Sequence, residues 1–418
     1  MNEEKQTREQ ELVYLLWLVM AMGPGNVKSL ELLQANGSCR ELYYVLHDPD
    51  CGLLRAEERR RVTRTTLAQA QGVLAFCEKN GIGIMTWDST LYPSCLRHIY
   101  NPPLVLFYKG DPTLLHRDLI LTVVGTRRPS DYSRRIADWL CRDLAHCNML
   151  LASGCAMGLD SAAHGAALAQ GKPTIGVLGC GVDYNYPKEN RAMREEIASK
   201  GLLLSEYFPG TPPYPHNFPT RNRILSGISE GVLVIEAGAR SGALITANLA
   251  CEQGKHVFCV PPGDLLDPRY SGVNGFLRDG AEPVFSYLDI LRAYYLEYPH
   301  KLSLFDDEHR SRTLDSLVYS EEEEREAPPK RPARSRVKAQ VIPAEKPEKA
   351  AAIPEEADAV QRRILELLRG GAQNVNAVCH LLELDFETVS MQMLDMEMRG
   401  WIVNAQRDMY MLPGEDSE

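Results

Sequence analysis

From about residue 118 the chain repeats one pattern: a short apolar run, a small residue, then a helical stretch. LILTVVG precedes SRRIADWLCRDLAH, MLLASG precedes LDSAAHGAALAQG, PTIGVLGCG precedes ENRAMREEIASKG, and VLVIEAG precedes GALITANLACEQG. LLLSEYF and HVFCVPPG complete the series. The runs are rich in Leu, Val and Ile and lack polar alternation, as strands do when both faces are covered. Strands alternating with helices in this way predict an α/β fold, an extended Rossmann-like, doubly wound and mostly parallel sheet. Right-handed crossovers then bring the strand C-termini to one edge, where such sheets hold ligands.

The strand ends read Gly125-Thr126-Arg127, Ser153-Gly154, Gly179-Cys180-Gly181, Glu206, Glu236-Ala237-Gly238 and Pro261-Pro262-Gly263. Small residues running directly into a helix offer backbone N–H groups and a positive helix terminus, which suit phosphate oxygens. Thr126, Ser153, Ser241 and Thr246 add hydroxyls, and Gly242 opens the last helix. Arg127, Arg128, Arg221, Arg223 and Arg240 add charge, with Asn222 between two of them. Phe218, just ahead, is either a stacking platform for a base or a plug under the loop. Arg221 and Arg223 have a second reading, as partners of Glu230 and Glu236 in a structural network. Glu206 and Glu236 are read as groups that cap or orient the arginines. His164 is read as a packed helix residue, and Lys172 and Lys255, at strand starts, belong at the opposite sheet edge.

Neither GxGxxG after the first strand nor GxxxxGK[ST] anywhere is present, so a tight NAD or ATP site is unsupported. A row of phosphate-ready loops without a mononucleotide motif fits a polynucleotide better. No cofactor is expected. A net charge of −10 excludes coating of nucleic acid by bulk positive charge but not a local basic cleft. The 11 cysteines include no Cys-x-x-Cys pair and predict reduced, mostly buried thiols with no zinc site. MNEEKQTREQ is unlike a signal peptide, and VYLLWLVMAM is too short to span a bilayer, so a cytoplasmic chain with no membrane partner is expected.

Composition divides the chain into 1–80, helical; 81–300, the sheet domain; 301–354, a charged and proline-rich linker expected to be disordered; and 355–414. In the first part AEERRRVTRTTLAQAQGVLAFCEKNG reads as one charged helix. The GPGN turn there is compatible with a helix-hairpin-helix in which Gly23 and Gly25 offer N–H groups to a phosphate. The last part reads as three helices and a hairpin, a small winged helix. Its would-be recognition helix DFETVSMQMLDMEMRG sets Asp385, Glu387, Asp395 and Glu397 against Arg399, which favours a protein contact over DNA.

VVGTRRPS, ASGCAMGLDSAAH, FPTRNRILSGIS, VIEAGARSGALITA and VPPG followed by SGVNGFLRDGA resemble, in this order, the DNA-processing protein A (DprA/Smf) family. The likeness is firm over about 90–300. Thr126 keeps the hydroxyl of the family's usual Gly-Ser-Arg, and Met157 and Leu159 are conservative changes. The resemblance implies a non-catalytic protein that binds single-stranded DNA, protects strands during natural transformation and loads a RecA-type recombinase. It implies a homodimer, a SAM-like N-terminal domain and a C-terminal winged helix. It places the DNA pocket on Gly125, Thr126, Arg127, Ser153, Gly154, Phe218, Arg221, Asn222 and Arg223, with Ser241, Gly242 and Thr246 on the same edge. The alternative is a nucleotide-cleaving phosphoribohydrolase on a related scaffold, with Glu236 against a ribosyl cation and Arg223 on phosphate. That enzyme class carries Pro-Gly-Gly-x-Gly-Thr-x-x-Glu, where this chain has GARSGALITA.

Overall fold

The apolar runs form the sheet. In the computed structural model its strands are β1 (Gly83–Thr86), β2 (Val105–Gly110), β3 (Ile120–Val124), β4 (Leu150–Ser153), β5 (Thr174–Leu178), β6 (Leu202–Ser205), β7 (Gly231–Val234), β8 (His256–Cys259) and β9 (Glu282–Pro283). The structure describes residues 2–295, Tyr298, Pro354 and most of 357–411, with breaks at 370–372, 383, 385 and 406–408. The chain divides into two compact units, within 1–320 and within 321–418. The segment expected as a linker lies, Pro354 apart, outside the described residues.

The sheet order is β1-β2-β6-β5-β4-β3-β7-β8-β9. From β6 to β9 all neighbours are parallel; β1 and β2 add an antiparallel edge that the strand series from 118 did not announce. Every residue of β3 to β7 is buried, as a sheet covered on both faces requires.

Eight helices follow within this part of the chain. They are α6 (Ser94–Arg97), α7 (Asp131–His146), α8 (Leu159–Ala169), α9 (Arg191–Lys200), α10 (Asn217–Ile228), α11 (Ala243–Glu252), α12 (Ser271–Arg278) and α13 (Tyr287–Tyr295). The two-residue strand period sorts the core. Leu121, Val123, Leu151 and Leu233 face α7, α8 and α13. Ile120, Leu150, Ile175 and Leu204 face Ile224, Leu225 and Ile228 of α10. Each fully buried Leu or Ile contributes about 1.5–3 kcal/mol against exposure, so the two layers lock the sheet together.

This order has one consequence for function. The chain moves from β3 outward through β4 and β5 to β6, then returns through α10 to lay β7 on the other side of β3. Strand order therefore reverses between β3 and β7, the point where a doubly wound sheet opens a crevice.

Ahead of the sheet lie α1 (Asn2–Met22), α2 (Val27–Asn36), α3 (Cys39–His47), α4 (Ala56–Arg64) and α5 (Leu67–Lys79). They pack on the fully buried Trp17, whose Nε1 donates to the Thr65 carbonyl at 2.9 Å. The single helix expected over AEERRRVTRTTLAQAQ is broken at Thr65. The Thr66 hydroxyl accepts from the Gln69 amide at 3.3 Å while the Gln69 side chain accepts from the Thr66 amide at 2.8 Å, a capping box that starts α5 afresh.

The second unit holds α14 (Ala359–Leu368), α15 (Val375–Leu382) and α16 (Phe386–Met398) with strands β10 (Gln373–Asn374), β11 (Val403–Ala405) and β12 (Met409–Met411) ordered β10-β12-β11. Ile364, Leu365, Val378, Val389, Met393 and Ile402 form its core. Asp395 on α16 pairs with Arg399 at 2.9 Å and accepts from Gln361 at 2.8 Å.

Candidate nucleic-acid interface

The loop after β3 can follow only one path. A Cβ on Gly125 would stand 2.2 Å from Leu159 Cδ1, and one on Gly158 would stand 2.5 Å from the Thr126 carbonyl oxygen. Gly158 also has φ +85°, a conformation that a side chain would strain. The Thr126 amide donates to the Glu236 carbonyl at 2.9 Å, and the Thr126 carbonyl accepts from Leu159 at 3.2 Å. The loop is thereby held between the end of β7 and the start of α8. Its two arginines, Arg127 and Arg128, are exposed, and neither meets a carboxylate among the described residues.

Phe218, in the first turn of α10, fills the space beside this loop. Arg127 lies 5.7 Å from its ring centre and Arg221 5.9 Å, both within cation–π range. Tyr186 meets the same ring at 5.8 Å. A Cβ on Gly179 would come within 2.8 Å of it, so the end of β5 is shaped to the phenyl edge.

Arg221 is 5% exposed and its guanidinium is largely spent on the protein. Nη1 donates to the Gly154 carbonyl at 3.1 Å and to the Val177 carbonyl, and Nε donates to Asn222 Oδ1 at 3.2 Å. It ties α10 to the ends of β4 and β5. Asp160 stands beside it and accepts from the Gly154 and Ala156 amides at 3.1 and 3.2 Å. Burial pushes the Asp160 carboxyl up and the Arg221 guanidinium down; each charge opposes the other's shift.

These elements surround a cleft of about 630 Å³ at the β3–β7 reversal. Gly125, Thr126 and Arg127 line one side, Phe218, Arg221 and Asn222 the floor, and Ser241, Gly242 and Thr246 the other side. Gly154 lines a smaller adjoining pocket that shares Arg127 and Phe218. The sequence did not single out Tyr186, Pro213, Pro215, Asp160 or Ile245, which also line the cleft. Gly242 is the N-cap of α11, and a Cβ there would meet nothing within 4 Å, so a ligand can approach its backbone and the positive helix terminus closely. Arg240 is exposed on the loop that leads there.

Two expected residues stand elsewhere. Ser153 is fully buried and donates its hydroxyl to the Val123 carbonyl at 2.7 Å. Arg223 turns away from the cleft: Nη2 meets Glu206 at 2.7 Å, Nε the Asn101 carbonyl at 2.9 Å and Nη1 the Thr220 carbonyl at 3.1 Å. Its carboxylate is Glu206, which the sequence reading has among the groups that orient the arginines, and not the Glu230 or Glu236 of the structural-network reading. Glu206 also accepts from the Gly25 amide at 2.9 Å, and Gly23 donates to Val19 at 2.9 Å. The GPGN amides expected to face a phosphate are therefore taken, and the turn docks the N-terminal helices onto α10.

Glu236, the acid a nucleotide-cleaving site would need, is 1% exposed and accepts from the Ser130 amide and hydroxyl at 2.9 and 2.7 Å. It does not line the cleft. His164 is fully buried. Its Nδ1 lies 2.8 Å from the Thr174 hydroxyl, which donates onward to Leu151, and its Nε2 faces the Cys155 thiol at 3.4 Å. Lys255 spends its ammonium on the Gly227 and Ser229 carbonyls at the other end of the sheet, at 2.8 and 2.5 Å.

A crevice at the strand-order reversal, with exposed arginines, glycine-opened loops and an aromatic floor, belongs to a doubly wound α/β protein and has groups of the kind that suit phosphate. Residues 83–295 match the family of DNA recombination-mediator protein A, and 347–405 match the DprA winged helix domain. The chain belongs to the DNA recombination-mediator protein A (DprA/Smf) family, whose role is mediation rather than catalytic turnover. It is 41% identical to the DNA processing protein DprA of Bacillus subtilis over 52% of this chain and 73% of the relative. The X-ray structure of DNA processing protein A from Streptococcus pneumoniae superposes with a TM-score of 0.60 at 34% identity, covering 67% of this chain and 97% of that one. DNA processing protein A from Helicobacter pylori, solved to describe its single-stranded DNA binding mode, is 32% identical over 51% of this chain and 97% of its own, with a TM-score of 0.47. Among the described residues no helix is long and apolar enough to cross a membrane.

Proposed function

We propose that this chain binds single-stranded DNA in the β3–β7 cleft and acts as a recombination mediator, protecting the strand and loading a RecA-type recombinase onto it. The observation that carries the reading is that exposed Arg127 and Arg128, neither meeting a carboxylate among the described residues, line one cleft at the topological switch point together with the Phe218 ring, over which Arg127 lies. Phosphates neutralise the arginines and release counterions, while a base stacks on the aromatic floor whatever its identity. Paired DNA buries its base faces in the duplex and offers this floor nothing. Arg127, Arg128, Arg240, Phe218, Gly125, Thr126, Asn222, Gly242 and Thr246 form the contact surface in this reading. Gly154, Arg221 and Ser241 shape it, whereas Ser153 and Arg223 hold the scaffold behind it.

The protein acts in the cytoplasm as a homodimer, its cysteines unpaired thiols, with the division at 1–80, 81–300, 301–354 and 355–414 separating a docking helical part, the DNA core, a tether and a winged helix. The winged helix contacts protein: α16 carries no basic residue, and Arg399 just beyond it is neutralised by Asp395. The test is filter binding of oligo-dT by the parent chain and by Arg127→Glu and Phe218→Ala, with the recombinase added in a pull-down. Sharp loss of oligo-dT binding by both variants with unchanged melting supports the cleft reading, and parent-like binding by both removes it. Failure to retain the recombinase withdraws the loading role alone.

A further inference from the structure

The segment Tyr214-Pro-His-Asn-Phe218 places an aromatic ring at every second residue. Phe218 enters the cleft. Tyr214 and His216 do not; their rings lie parallel to one another at 5.7 Å and 7°, in solvent, Tyr214 being 49% exposed. The prolines that alternate with them, Pro213 and Pro215, line the cleft itself. One short ridge thus shows prolines to the inside and a stacked aromatic pair elsewhere on its surface.

We propose that the Tyr214–His216 pair is a second stacking platform, for a nucleobase of the same DNA strand just after it leaves the cleft over this ridge. The proposal rests on the reading that the cleft holds single-stranded DNA. A cleft of about 630 Å³ takes only a short piece of strand, so a longer one must cross a wall to leave. The ridge is rigid where it matters. Tyr214 donates its amide to the Pro212 carbonyl at 2.9 Å, Asn217 donates to the Tyr214 carbonyl at 3.0 Å, and Gly181 donates to the Thr211 carbonyl at 2.9 Å. The Asn217 side chain donates to the Gly179 carbonyl at 3.0 Å, anchoring the ridge to the end of β5. Proline fixes φ on both sides of Tyr214, so little conformational entropy remains to be lost when a base docks. Among the described residues no side-chain hydrogen bond ties either ring to the protein, and both residues are exposed. A base offers a matching π-face regardless of sequence, which suits a binder of arbitrary strands.

The full-length chain tests this with two oligo-dT probes, one short enough to fill the cleft only and one several nucleotides longer. Tyr214→Ala/His216→Ala is expected to weaken the longer probe by about fivefold or more and to leave the shorter unchanged. Tyr214→Phe is expected to keep parent affinity for both. Tyr214→Trp supplies an independent readout, an added indole fluorescence quenched by the longer probe alone. Equal affinity of parent and double variant for the longer probe overturns the platform, leaving its exposed rings for a protein partner; so does equal weakening of both probes. Failure of the cleft reading looks different: the parent chain and Arg127→Glu then bind the short probe alike.

Discussion

Replacing Arg127 by alanine isolates the electrostatic part of the account. Arg127, Arg128 and Arg240 are the exposed cations on the two loops flanking the cleft, and none meets a carboxylate among the described residues. A single strand contributes a slope of about −0.7 in log affinity against log salt for each phosphate neutralised. Three such contacts give about −2.1, and the variant keeps about −1.4. Between about 50 and about 200 mM salt the parent chain then loses about 18-fold in affinity and the variant about sevenfold. The two binding curves converge as salt rises. Cations elsewhere in the chain steepen both lines equally, so the difference between them is the quantity to read. Stability should move by no more than about 0.5 kcal/mol, because the side chain is exposed and the Phe218 ring is its one partner among the described residues. Fluorescence anisotropy of labelled oligo-dT across a salt series measures both slopes. Parallel lines would refute the reasoning, since a residue that neutralises no phosphate leaves the slope alone.

The buried tie behind the cleft should answer differently. Glu206→Ala leaves Arg223 in the interior without its carboxylate and is expected to cost about 3–5 kcal/mol in thermal or denaturant unfolding while the salt slope stays put; unchanged melting would contradict the pair's role. His164 gives a pH signature. Burial holds its imidazole down to about 3, so the folded state binds its proton less well than the unfolded state does. The stability this contributes is complete above about pH 6.5 and is lost as pH falls toward 3, about 2 kcal/mol by about pH 5. His164→Gln should flatten that part of the stability profile, and an unaltered profile would count against it. Two glycines make a matched pair. Gly158→Ala, at φ +85° with its Cβ against the Thr126 carbonyl, should lower stability by more than about 1 kcal/mol and displace the Arg127 loop. Gly242→Ala, with open space and an ordinary φ of −61°, should fold normally and lose oligo-dT affinity only.

Much of the site was legible because it depends on where apolar runs stop. Gly125, Thr126, Arg127, Ser241 and Gly242 follow directly from strand ends, and their shared edge follows from the handedness of the crossovers. The position of the cleft between β3 and β7 was not legible, since nothing local in the sequence encodes strand order. Glu206 was legible as a group that orients an arginine, and it holds Arg223. That this pair turns Arg223 away from the cleft was not, since nothing local in the sequence gives the direction of a side chain between distant segments. Arg221 illustrates a subtler limit: a cation at the right edge can be consumed by the Gly154 and Val177 carbonyls and still form the floor. Ser153 was placed correctly at its strand end, yet the two-residue period turns its hydroxyl inward to Val123. Thr66 shows that a capping box can interrupt a helix that charge and length alone would run through.

The place where a bound strand sits is the central point, and the decisive measurement is the crystal structure of this chain with a short oligo-dT. The predicted density has phosphates against Gly125 to Arg128 and the start of α11, with one base on Phe218. Density at the opposite end of the sheet, beside Asn248 and Lys255, or a strand lying on the winged helix with the β3–β7 cleft empty, would contradict it.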